Sequence, residues 1–220
     1  MLKKIIQFLS PDKFSDNKIN DSKDVTQSLE EEKKVLHTAE ELKNAGDQSL
    51  KANNLEQAEL YYRQSLEADP TQPAVYKSWG VALYYQKRLD EALISYDRAI
   101  ALQPNFAEAY SNRGLALNDL KRFDEALTSL DYAIRLKPDL AFAYNNRGIV
   151  LGGLNRLDEA LTSYDRAITL KPDYAEAYNN RGIVLKDLNR LDEALTSYDR
   201  AITLKPDYEE AYYNRGVVLD

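Results

Sequence analysis

Residues 175–208 read AEAYNNRGIVLKDLNRLDEALTSYDRAITLKPDY, and residues 141–174 repeat them with three changes. Looser copies follow the same 34-residue spacing back to Ala39, at 39–72, 73–106 and 107–140, and an incomplete sixth copy occupies 209–220. One supersecondary unit has been written several times over, so reading one copy amounts to reading the architecture.

Within that copy Ala177, Tyr178, Gly182, Val184 and Leu185 share one helical face. Ala194, Leu195, Tyr198, Ala201 and Ile202 form a second apolar stripe at the spacing of another amphipathic helix, and Leu188–Leu191 leaves room only for a tight turn. Each unit therefore reads as a helical hairpin, and the chain as all-α. Asn155 and Asn189 stand where first helices must end, a place that suits asparagine because it tolerates the left-handed conformation. Pro70, Pro104, Pro138, Pro172 and Pro206 close the second helices. Asp173 with Glu176, Asp207 with Glu210 and Asn105 with Glu108 have capping-box spacing and predict the start of each following helix. Small residues at Gly80, Gly114, Gly148 and Gly182, and at Ala92, Ala126, Ala160 and Ala194, predict close helix approach within each hairpin.

This pattern of Trp or Tyr, Gly, Ala, Tyr, Ala and Pro resembles the tetratricopeptide repeat from Ala39 to Asp220. The resemblance implies a right-handed superhelical solenoid of antiparallel helix-turn-helix repeats, with first helices lining a concave groove that takes extended peptides or a partner's helix. One departure is consistent: position 7, commonly Leu in the family, is Arg113, Arg147, Arg181 and Arg215. Arginine on an apolar face needs a partner or a route to water, and Asp131, Asp165 and Asp199 on the second helices, or the capping acids, are the candidates.

Composition narrows the function classes. The chain has no cysteine and a single histidine, His37, read as a surface or packing residue. Thiolate sites are excluded, and only carboxylates remain for a hard cation. No cofactor or metal site is expected. A formal charge of -7 argues against nucleic acid as a partner. No apolar run reaches the ~20 residues a membrane span needs, and a cytoplasmic location is expected.

Residues 1–27 read as a flexible leader. Leu2, Ile5, Ile6 and Leu9 share a face with Lys3, Lys4 and Gln7 turned away, which suits contact with an anionic membrane surface through residues 1–9, docking on a partner, or a frayed end. Residues 28–38, opening with Ser28 three residues before Glu31, read as a helical extension ahead of the repeats. At the other end, Val217–Leu219 leaves an apolar surface bare, so either the chain is a piece of a longer protein or that end is covered, for instance by self-association.

Most informative is where copies differ. Phe142 stands against Glu176, Gly152 against Lys186 and Gly153 against Asp187, at positions 2, 12 and 13 of the first helix. These fall with positions 5, 6 and 9 on the face opposite the apolar one. The groove then presents Lys43, Asn44, Asp47 and Lys51; Lys77, Ser78, Val81, Tyr84 and Tyr85; Glu108, Asn112, Leu115 and Asp119. It continues with Phe142, Asn145, Asn146, Ile149, Gly152 and Gly153, and with Glu176, Asn179, Asn180, Ile183, Lys186 and Asp187.

Position 6 reads Asn44, Ser78, Asn112, Asn146, Asn180 and Asn214. A file of amides can hold an extended backbone without reading its side chains, or each amide bonds inside its own hairpin or to water. The file resembles the asparagine ladder in the repeat domain of O-GlcNAc transferase. Phe142 beside Gly152 and Gly153 reads as a hollow with an aromatic wall for an anchor side chain, with Tyr84 and Tyr85 further along, or as drift on a tolerant surface. The carboxylate clamp of chaperone-tail binders is not met: it needs Lys and Asn at positions 5 and 9, where this chain has Lys43 and Asp47, and then Asn, Lys and Arg where it has Ser78, Glu108 and Asn112.

No nucleophile–base pair, phosphate loop or metal-ligand cluster is present in the sequence. The leading reading is a non-enzymatic interaction scaffold for a protein or peptide partner. Its rivals are the substrate-recognition arm of an O-GlcNAc-transferase-like glycosyltransferase, with catalysis outside this chain, and a membrane-linked assembly factor using residues 1–9.

Overall fold

The computed structural model describes residues 38–219. The leader, His37 and the Ser28–Glu31 cap lie outside the described residues. Among those residues there are eleven helices and no strand. They pair as α1 (38–51) with α2 (Leu55–Ala68), α3 (Pro73–Tyr85) with α4 (Leu89–Leu102), and α5 (Ala107–Asp119) with α6 (Phe123–Leu136). Then come α7 (Ala141–Gly153) with α8 (Leu157–Leu170), α9 (Ala175–Asp187) with α10 (Leu191–Leu204), and α11 (Glu209–Leu219).

Each first helix ends in the same way. Asn53, Lys87, Lys121, Asn155 and Asn189 take positive φ of 57°, 64°, 62°, 58° and 59°. In the fourth hairpin the Asn155 N–H donates to the Gly152 carbonyl and the Arg156 N–H to that of Leu151, both at 2.9 Å. This paired closure satisfies carbonyls that the helix end leaves open and reverses the chain.

The capping boxes do not form. Helix α9 starts from Tyr174 and α5 from Phe106, one residue later than the expected caps, and neither start has a side-chain cap bond. The Tyr174 N–H turns back to the Lys171 carbonyl at 3.1 Å, which leaves Asp173 exposed outside the helix. Tertiary packing decides this: Tyr174 and Leu140 are buried at their helix starts against neighbouring helices, and burial of an apolar side chain, about 1.5–3 kcal/mol, outweighs a cap bond of about 1 kcal/mol.

The glycines let each hairpin close. A Cβ on Gly182 would meet the Tyr198 ring at 2.5 Å, and one on Gly114 would meet Leu130 at 2.6 Å. Tyr62, Tyr96, Leu130, Tyr164 and Tyr198 occupy the same place in successive repeats, all buried. Beyond the hairpins, every contacting pair from α2 to α11 belongs to neighbouring repeats, as expected of a quasi-linear array. First helices touch across repeats, α3 to α5, α5 to α7, α7 to α9 and α9 to α11, whereas second helices do not touch one another. Closer spacing on one side bends the array toward it, which puts the first helices on the inner face.

On the opposite side the position-7 arginines stitch the repeats. Arg113 donates to Asp97 at 2.7 Å, Arg147 to Asp131 at 2.8 Å, and Arg181 and Arg215 to Asp165 and Asp199 at 2.6 Å, each partner lying on the preceding second helix. Arg147 and Arg181 also reach Ser163 and Ser197 of their own hairpins, at 2.9 and 2.7 Å. The expected Asp131, Asp165 and Asp199 are partners, Asp97 takes the same place for Arg113, and the half-buried guanidiniums are all paired.

Candidate functional site

Bonds across a separation of 35 residues tie the inner helices together. The Tyr84 hydroxyl donates to Asp119 at 2.8 Å, and the amide of Asn146 donates to the Ser111 hydroxyl at 3.2 Å. Asn180 donates to the Asn145 carbonyl oxygen at 3.1 Å, and Asn214 to that of Asn179 at 3.0 Å. From the fourth repeat onward position 6 therefore grips position 5 of the preceding repeat, a bond between hairpins and not within one.

The accessible lining is accordingly smaller than the sequence reading. Asn145, Asn146, Asn179 and Ser78 are buried, and Asn179 also donates to Glu210 at 3.3 Å. Asn180 and Asn214 are half-buried and use one amide hydrogen each, which leaves the second hydrogen and the carbonyl oxygen. Asn44 is exposed and Asn112 half-buried, both without a side-chain hydrogen bond among the described residues. Tyr85 stands 61 % exposed with Tyr84 edge-on at 5.7 Å. Lys186 lies 3.8 Å from Asp187, too far for a direct hydrogen bond.

The hollow beside Phe142 is not formed. Phe142 opens α7 and Gly152 and Gly153 close it, so at ~1.5 Å rise per residue they stand roughly 15 Å apart along the axis. A shared angular face fixes direction around the helix axis and not proximity along it. Phe142 instead packs edge-on to Tyr174 at 5.1 Å, with the Lys171 ammonium 5.1 Å above its ring and 4.7 Å above that of Tyr174. In the third repeat the same two positions hold the Glu108–Lys137 ion pair at 2.7 Å. Phe142 thus exchanges an ion pair for a cation–π contact. The lysines preceding Pro138, Pro172 and Pro206, namely Lys137, Lys171 and Lys205, are the sequence signal for this pairing. Gly153 faces Phe123 of the preceding repeat, 3.8 Å from its would-be Cβ.

Charge concentrates at the N-terminal end of this face. Lys43 pairs with Asp47 at 2.7 Å, and the Tyr62 hydroxyl donates to the other Asp47 oxygen at 2.8 Å. Burial alone would raise the Asp47 pKa, but Lys43, Tyr62 and the charge of Lys77 together hold it below the usual carboxylate value. Burial lowers the pKa of Lys77, with Asp47 and Glu108 opposing. Among the described residues no group of three or more His, Cys, Asp or Glu is placed to hold a metal ion, and no helix is long and apolar enough to cross a membrane.

Stacked hairpins with a first-helix inner face define a helical repeat scaffold. Family models described as TPR repeat match residues 80–121, 153–188 and 184–219, and models described as tetratricopeptide repeat match 107–140 and 44–72. The chain belongs to the tetratricopeptide repeat family. Among curated proteins none matches it by sequence. It is similar in structure to TTC0263, a thermophilic TPR protein of Thermus thermophilus, at TM-score 0.75 and 22 % identity over 82 % of this chain and 98 % of that one. It is also similar to YrrB, described as a TPR protein with an unusual peptide-binding site, at TM-score 0.58 and 25 % identity over 87 % and 97 % of the two chains. MamA aligns at TM-score 0.59 and 26 % identity over 78 % and 96 %. Repeats and relatives together support a protein-interaction scaffold, a fold that is generally not catalytic.

Proposed function

We propose that this scaffold binds an extended segment of a partner protein along its inner face. The observation that carries the reading is the distribution of difference: two otherwise identical repeats diverge only at Phe142/Glu176, Gly152/Lys186 and Gly153/Asp187. All six lie on first helices, and Phe142, Gly153, Glu176 and Asp187 are exposed. The hairpin core is held constant while the inner surface varies, as expected where the surface selects a ligand. Asn112, Asn180 and Asn214 supply backbone-directed amides, and Tyr85 and Phe142 supply apolar contacts. The peptide-binding site in the description of YrrB supports the same use of the fold.

A displayed peptide library selected on the wild-type chain tests the proposal. Selected peptides should lose binding when Asn112, Asn180 and Asn214 are all changed to Ala, and should keep it in Thr162→Ala on the outer side. Equal binding by the inner-face triple variant would sink the proposal.

A further inference from the structure

The file of bonds between inner helices stops at one junction. Asn146, Asn180 and Asn214 each bond position 5 of the preceding repeat, which is Ser111, Asn145 and Asn179 in turn. Between α3 and α5 the same register sets Asn112 against Lys77. A lysine has no acceptor, so it cannot take the Asn112 amide hydrogens as the serine or asparagine of the later repeats does. Neither Lys77 nor Asn112 makes a side-chain hydrogen bond or a direct ion pair among the described residues.

Both groups are open to a ligand. Among the described residues the fully buried side-chain polar atoms without a partner are Trp79 Nε1, Gln86 Nε2 and Tyr198 Oη, so the Lys77 ammonium and the Asn112 amide keep contact with solvent. The other charges around Lys77 are matched to one another. Asp47 bonds Lys43 at 2.7 Å and Tyr62 at 2.8 Å, and Glu108 bonds Lys137 at 2.7 Å. Lys77 is left as the uncompensated charge of the group, in a half-buried place where desolvation already disfavours an ammonium. An apolar group laid over it would add to that cost, whereas an anionic acceptor would offset it.

We infer that the α3–α5 junction receives a side-chain carboxylate, from Asp or Glu, of the bound segment, with Lys77 and Asn112 as its donors. The inference rests on the inner face being the binding surface. A carboxylate suits a site made of donors, because it accepts on both oxygens and supplies the charge that Lys77 lacks. Half-buried Val81 and Leu115 stand one turn on from Lys77 and Asn112 and give its aliphatic stem an apolar floor. The row of first helices continues past the junction on both sides, to α1 and to α7, so a segment lying along it meets Lys77 with a side chain and not with its C-terminus.

Peptides selected on the wild-type chain from the displayed library are synthesised as selected, with each Asp or Glu changed to Asn or Gln, and with an amidated C-terminus. They are titrated calorimetrically against wild type, Lys77→Met, Lys77→Arg and Asn180→Ala/Asn214→Ala, with circular dichroism as the folding control. On wild type one acidic position should be worth about tenfold in affinity, a comparison that needs no variant. Lys77→Met should abolish that preference while binding the neutralised peptide as wild type does, and Lys77→Arg should keep it. The asparagine variant should weaken acidic and neutralised peptides alike. Peptides that depend on Asn180 and Asn214 but show no acidic preference would overturn this inference and leave the inner face as the binding surface. A preference that follows the free C-terminus and vanishes on amidation would overturn it as well. Affinity indifferent to Lys77 and to both asparagines would sink the two readings together.

Discussion

The Arg181 guanidinium donates to the Asp165 carboxylate at 2.6 Å, joining a first helix to the second helix of the repeat before it. Its other branch reaches Ser197 at 2.7 Å, so one side chain spans the seam between two hairpins. Asp165 is 57 % exposed, and solvent screens the pair. A double-mutant cycle with Arg181→Ala and Asp165→Ala is expected to give a coupling of about 0.5–1 kcal/mol that shrinks with salt. Chemical denaturation at low and high ionic strength measures it; a coupling near zero at low salt would contradict the structural role.

Two glycines in neighbouring first helices should respond in opposite ways. Gly182→Ala places a Cβ 2.5 Å from the buried Tyr198 ring and is expected to destabilise by about 1–3 kcal/mol. Gly152→Ala meets only Val184, at 3.7 Å, and should stabilise α7 by about 1 kcal/mol. Urea midpoints of the two variants decide the matter.

Lys121 holds φ of 62°, a conformation that Asn155 and Asn189 occupy in the equivalent turns. Lys121→Asn should raise stability by about 0.5 kcal/mol, net of a weak contact between its ammonium and the Phe123 ring 5.9 Å away. Thermal melting of the variant against wild type reads this gain, and a fall in the midpoint would refute it.

Asp47 gives the acid limb. Its folded pKa lies below its unfolded value near 3.9, so its contribution is present above that value and is lost as pH falls through the folded pKa. Asp47→Asn is expected to cost about 1 kcal/mol at pH 7, an amount already reduced for its partial exposure. The difference from wild type should narrow as the pH falls below the ordinary carboxylate value and through the lowered folded pKa. A difference that stays constant from pH 7 to pH 3 would show that the carboxylate charge does not matter.

Much of this molecule follows from one copy of its repeat. The hairpin, the left-handed Asn155 and Asn189, the close approach at Gly182 and the aspartate partners of the arginines all rest on residues close in sequence or on strict periodicity. Such relations are set by backbone geometry and by the fixed helical angle per residue. The tertiary structure decided the rest. Tyr174 starts its helix because a neighbouring hairpin buries it, and Asn180 bonds Asn145 because the stacking pitch brings positions 35 residues apart into reach. Phe142 meets Lys171 and not the glycines, because angular periodicity records direction around a helix but not distance along it. Periodicity reports what each repeat is, and only the packing of repeat on repeat reports which polar groups are satisfied within the fold and which remain for a partner.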